Sequence, residues 1–152
     1  MPTYDYPQRE FYFIPSAAWG ATTDTITMIG PKGKKGLVRD IIAGVTADMV
    51  GTTTVPEVDV GTSSGDVTYG RFRLGTAAGT GYTNAQAAVR RASQVAGNGG
   101  ANAVPTLEDF TGHVKLATAP IPADTAFVIT RKAGVGGTPA GTGPVTVLIE
   151  WF

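Results

Sequence analysis

The chain reads as all-β, an antiparallel sandwich of about eight strands, and three observations predict this. Apolar and polar residues alternate with a period of two in most of its hydrophobic stretches, as strands with one buried face require. Clusters of Gly, Pro, Asn and Asp separate those stretches at spacings near the roughly 8–12 residues of a sandwich or barrel. Helical periodicity is confined to one short segment in the middle. At 152 residues the chain is expected to form a single domain with a core that needs no crosslinks.

Residues 1–9 hold Pro2 and Pro7 around Tyr4 and Tyr6 and have no core face of their own. They read either as a disordered terminus or as an extended arm laid across a neighbour and anchored by the two tyrosines. The sandwich is expected over residues 10–152. Its first strand spans 10–14, with Phe11 and Phe13 on one face and Pro15 ending it. Residues 23–29 follow, with Ile26 and Met28 alternating against threonines. The turn GPKGKKG (30–36) leads to a strand over 37–45. There Leu37, Ile41, Ala43 and Val45 share a face with Arg39, and Val38 and Ile42 sit opposite, which suggests a central strand.

In residues 54–60, Val58 and Val60 alternate with Glu57 and Asp59, and Pro56 marks an edge. The turn GTSSGD (61–66) leads into residues 67–74, whose apolar phase shifts across Gly70 as at a β-bulge. Residues 75–105 form a loop insertion. Within it, residues 84–95 (NAQAAVRRASQV) are helix-like, with Thr83 or Asn84 available as N-cap and Gly97 as stop. The apolar face of that helix, Ala88, Val89, Ala92 and Val95, is small, so it is expected to be short and superficial. Val114 and Leu116 mark another strand. The closing pair, residues 121–132 and 143–152, flanks the Gly-rich loop 133–142. Val145, Val147, Ile149 and Trp151 share one face of the last strand; Leu148 and Phe152 on the other suggest that it is covered on both sides.

Composition removes several function classes. There is no cysteine, hence no disulfide and no thiolate metal site. Net charge is +0, from 12 basic and 12 acidic residues, which gives no electrostatic footprint for nucleic acid or an anionic membrane. Charged residues make up only 16%, against about 25% in ordinary soluble domains. A neutral, Gly- and Thr-rich surface suits a protein covered by copies or partners. The N-terminal residues lack a basic stretch followed by an apolar one, so synthesis in the cytoplasm without a secretion signal is expected.

No catalytic or cofactor motif assembles. GPKGKKG lacks the G-x-x-x-x-G-K-[ST] order and lies between strands, so it reads as a charged hairpin turn. Its Lys32, Lys34 and Lys35 remain the one local charge cluster and candidates for contact with an acidic partner. His113, the single histidine, follows Glu108 and Asp109, but no second histidine completes a ligand set. None of the four serines lies in a G-x-S-x-G elbow. Glu57 and Asp59, alternating outward, read as solvated carboxylates. The chain is expected to be no enzyme and to need no cofactor or metal. The aromatics of the first twenty residues, Phe11, Tyr12, Phe13 and Trp19 among them, suit a core, an interface or a sugar-stacking platform.

The closing wording, I-P-A-D-T-x-F-V-I-T, then G-G-T-P-A-G-T-G, then V-T-V-L-I-E-W-F, resembles the small capsid decoration, or cement, proteins of tailed bacteriophages. The likeness covers about the last thirty-five residues. It implies a sandwich of jelly-roll type, set on the outer capsid surface of a virion as a homo-oligomer, with a trimer favoured, and bound to the major capsid protein. On that reading the arm (Tyr4, Tyr6), the lysine turn, the insertion with Arg90 and Arg91, and the closing loop with Thr138 and Pro139 are the candidate contacts. A phage tail or fibre component, or a carbohydrate-binding sandwich, is the alternative.

Overall fold

In the computed structural model, residues 7–19, 23–77, 79–83, 89–94, 114–116 and 118–152 are described. They form β1 (Gln8–Ala18), β2 (Asp24–Ile29), β3 (Gly36–Gly44), β4 (Ala47–Val50), β5 (Glu57–Gly61) and β6 (Gly70–Arg73). There follow β7 (Gly75–Ala77), β8 (Thr80–Gly81), β9 (Val89–Arg91), β10 (Val114–Leu116), β11 (Ala126–Lys132) and β12 (Ala140–Trp151). Two antiparallel sheets make a sandwich. The first runs β1-β12-β3-β9, with β4 also on β12; the second runs β10-β6-β5-β11-β2; β7 and β8 form a small separate ribbon. Four of the pairs are nested: first strand with last (β1 with β12), then β2 with β11, β3 with β9, and β5 with β6.

Alternation decides which side chains enter. From β12, Val145, Val147, Ile149 and Trp151 are buried, and they meet Phe127 and Ile129 of β11 and Val58 and Val60 of β5 in one core cluster. Burying each such side chain stabilises the fold by roughly 1.5–3 kcal/mol. Tyr12 of β1 meets Phe127 edge-on at 5.6 Å, and Phe127 meets Trp151 at 6.0 Å, so aromatic contacts span both sheets. A Cβ at Gly30 or Gly36 would overlap the Trp151 indole, which is why both positions lack a side chain. At the other end Trp19 donates its Nε1–H to the Gly143 carbonyl at 3.3 Å. The Arg131 guanidinium lies over the Trp19 ring, 5.4 Å from its centroid, and is paired with Asp24.

Several expectations need correction. β1 begins at Gln8, so residues 8 and 9, assigned to the arm, belong to the sheet and pair with Trp151 and Glu150. Pro56 does not mark an edge: β5 is central, held between β6 and β11, and Pro56 precedes it. The register of β12 against β3 breaks between Leu148 and Ile149, and there β3 changes phase. Val38, Ile41, Ala43 and Val45 therefore face inward, while Arg39 is exposed. The turn GPKGKKG is no hairpin, since it carries the chain from β2 in one sheet to β3 in the other.

The insertion helix is absent over the described residues. Val89–Arg91 is a strand on β3, and Ala92–Gln94 a single 3-10 turn. A short helix must order a costly first turn for few hydrogen bonds, and its alanine face had little to bury. The open side of β3 instead offers a ready ladder. Consecutive strand residues point to opposite faces, so Arg90 turns onto the buried Tyr82 ring, 4.9 Å from its centroid. Arg91 turns the other way, onto Asp40 at 2.8 Å.

Candidate functional site

The outer face of the first sheet carries an apolar stripe. On β1, Tyr12 and Ile14 face the core, so the side chains between them, Phe11 and Phe13, stand outward with 64% and 65% of their surface exposed. Register places Phe11 beside Leu148 and Phe13 beside Thr146 of β12, and Thr146 beside Ile42 of β3. Val89 of β9 extends the stripe and is 60% exposed. β12 is central within its sheet, but its second face is only half covered, contrary to the expectation of cover on both sides. Two ion-pair groups rim the stripe. Glu150 holds Arg39 at 2.7 Å and Arg9 at 3.1 Å. The hydrogen bond from Arg39, then that from Arg9, keeps the Glu150 carboxyl below its usual range. Toward the β9 side, Asp40 accepts from Arg91 and from the Ser93 amide.

The outer face of the second sheet is the reverse: ionic and closed on itself. Glu57 and Asp59 do point outward, but they are buried beneath cations instead of solvated. Asp59 accepts from Arg71 at 2.9 Å; Glu57 accepts from Arg73 at 2.8 Å and from Lys132 at 2.8 Å, with Arg71 at 3.4 Å. Burial pushes the Asp59 carboxyl up to about 6, and the adjoining Glu57 charge adds to this against the pull of Arg71. Burial opposes ionisation of Glu57 as well. There the hydrogen bonds from Lys132 and Arg73 and the charge of Arg71 outweigh it and lower its pKa. Three cations bracket Glu57 and one serves Asp59, which is why neighbouring carboxylates move in opposite directions.

The predicted contact residues do not converge. Tyr4 and Tyr6, like His113, Glu108 and Asp109, lie outside the described residues. Lys32 and Lys35 are exposed and Lys34 half-buried in a turn pinned by the Gly33 amide on Asp124 and by Lys35 bonded to Phe152 through both backbone groups. Thr138 and Pro139 lie at the other end of β12, roughly 40 Å away at about 3.3 Å per residue. Their loop is no floppy tip: Val135 and Gly136 make four backbone hydrogen bonds with Thr52, Thr53 and Thr54. Pro139 borders a shallow depression of about 500 Å³ with Ala18, Asp48 and Thr142. Arg91 alone reaches the apolar stripe; Arg90 turns inward.

Sequence reading grouped Phe11 and Phe13 but did not single them out as contacts. The available signal was that aromatic and aliphatic residues occupy both faces of one strand, and only one face of that strand can enter the core. Among the described residues no group of three or more His, Asp or Glu is placed to hold a metal ion. No protein-family model, curated protein or solved structure matches the chain.

Proposed function

We propose that this chain is a structural virion protein that binds the outer surface of a phage capsid as a homo-oligomer and stabilises the shell. The carrying observation is the stripe of exposed Phe11, Phe13 and Val89 with half-buried Leu148, rimmed by two groups of paired charge. Aromatic anchors inside a polar rim are the arrangement in which a few side chains supply most of an interface's binding energy. The nested strand pairing supports a jelly-roll reading of the sandwich, an architecture used by viral capsid proteins and by lectins. The likeness of the closing segment to decoration proteins favours the first of these. Many copies on one shell turn modest contacts into firm attachment by avidity.

The test is co-sedimentation of the purified protein with capsids of the phage that encodes it, and rupture of those capsids by heat with and without it. No association overturns the proposal. The same two exposed rings are what a sugar-stacking face needs, so a carbohydrate-binding module is the second reading. Glycan binding that Phe13→Ser abolishes, without capsid binding, would establish it instead.

A further inference from the structure

Every open sandwich must protect the unpaired backbone groups along its sheet edges, and proteins do so with short strands, charges, prolines and bulges. In the two main sheets five strands lie at edges among the described residues, and four carry such devices. β1 has Pro15, a register break between Ile14 and Ala17, and exposed Arg9. β4 is four residues long and contains Asp48. β9 is three residues, two of them arginine. β10 is three residues around Lys115. β2 differs: it is six residues, DTITMI, paired with β11 in unbroken register, and from Thr25 to Ile29 it contains no charge, proline or glycine. Its single acid, Asp24, is already engaged by Arg131. All of β2 but Met28 is exposed, Ile29 by 67%.

We infer that β2 is a docking edge for β2 of a second copy, joined antiparallel about a two-fold axis at Thr27. That centre uses the whole uncharged stretch. It sets Thr25 opposite Ile29 and Ile26 opposite Met28, and leaves Asp24 just outside, so no like charges face each other. Ile26 and Met28 lie on the core face opposite Ile129 and Phe127. Their meeting across the axis extends the core from one copy into the next, and the two second sheets become one continuous sheet. Because each copy offers a single unblocked edge among the described residues of its two main sheets, an isologous pair consumes both and growth stops at two. The two-fold pair is independent of the shell reading, and any three-fold grouping on a capsid would use other surfaces.

The chain has no cysteine, so single introduced cysteines report register directly. In the proposed pair the two copies of residue 27 have Cα atoms about 4.5–5.5 Å apart, within the roughly 4.4–6.8 Å that a disulfide spans. The two copies of residue 25 are offset by four residues, or about 14 Å. Under mild oxidation of the full chain, Thr27→Cys is expected to give at least tenfold more covalent dimer than Thr25→Cys. Thr25→Cys mixed with Ile29→Cys should crosslink as a heterodimer. Light scattering of the unmodified protein at micromolar concentration should show association that Thr27→Lys abolishes. Thr27 is exposed in the single copy, so that variant should keep its fold, read as an unchanged far-ultraviolet circular dichroism spectrum, while losing only the concentration-dependent part of the thermal midpoint. A monomeric wild type, association unaffected by Thr27→Lys, or equal crosslinking at positions 25 and 27 each overturns the inference.

Discussion

Phe13→Ser separates binding from folding, and its neighbour Ile14→Ala does the converse. A phenylalanine offers about 200 Å² of surface, and Phe13 leaves 65% of its own uncovered. Docking can therefore remove up to about 130 Å² from water, worth roughly 3 kcal/mol at about 25 cal/mol per Å². Truncation should then weaken capsid binding by about 2–3 kcal/mol, which is roughly 30- to 150-fold. The third already buried sets the folding cost, about 70 Å² or 1–2 kcal/mol. In a domain of this size that lowers the thermal midpoint by about 3–7 °C. Ile14 is almost wholly buried. Its truncation should cost about 2–4 kcal/mol and about 6–12 °C, while the folded protein binds as before. Co-sedimentation titrations paired with calorimetric melts read both quantities. Unchanged affinity in Phe13→Ser, or lost affinity in folded Ile14→Ala, would refute the assignment of this face.

Trp151→Ala removes the largest side chain at the β12 end of the core and should cost about 3–5 kcal/mol, read by chemical denaturation. Asp59 titrates near 6 when folded, above its ordinary 3.8. Its protonated form is thus favoured by folding, and its contribution, present below about pH 4, is lost as pH rises through 6. Asp59→Asn should abolish that component of the decline in denaturation midpoint between pH 4 and 7; an identical pH slope would count against the buried pair. Glu57, shifted downward, acts in the opposite sense and loses its contribution as pH falls below its ordinary 4.5. Truncation after residue 6 should leave the melt unchanged, because β1 begins at Gln8, while lowering capsid occupancy if the tyrosine arm takes part. A melt lowered by more than a few degrees would give the arm a role in folding instead.

The sandwich was legible because its evidence is local. Alternation in residues 143–152 assigned Val145, Val147, Ile149 and Trp151 to the core without knowledge of any partner strand. What was not legible depended on pairing. The phase change in β3 comes from its register against β12, a hundred residues away, and no window around Arg39 contains that information. Val89 and the two arginines after it fit a helical face as well as a strand edge, and the open side of β3 decided between them. Glu57 and Asp59 were correctly turned outward. Their burial became visible only when Arg71, Arg73 and Lys132 were brought over them from β6 and β11. Charge type was written locally, and charge environment was not.

The contrast between the outer faces bears on how such a protein would sit on a surface. Removing the ion-paired face from water gains little, because its carboxylates are already desolvated and matched by cations within the sheet. A partner pressed against it would have to desolvate the outer parts of Arg73 and Lys132 without supplying better acceptors. The apolar face has the opposite balance, since Phe11 and Phe13 cost free energy for as long as they stay in water. The same β-pleat sends Tyr12 inward and Phe13 outward, so strengthening the core through one does nothing to cover the other. On the proposed reading the chain lies with its first sheet toward the capsid and its ionic sheet toward solvent. The β2 edge then lies to the side, where a second copy can reach it while both stay seated.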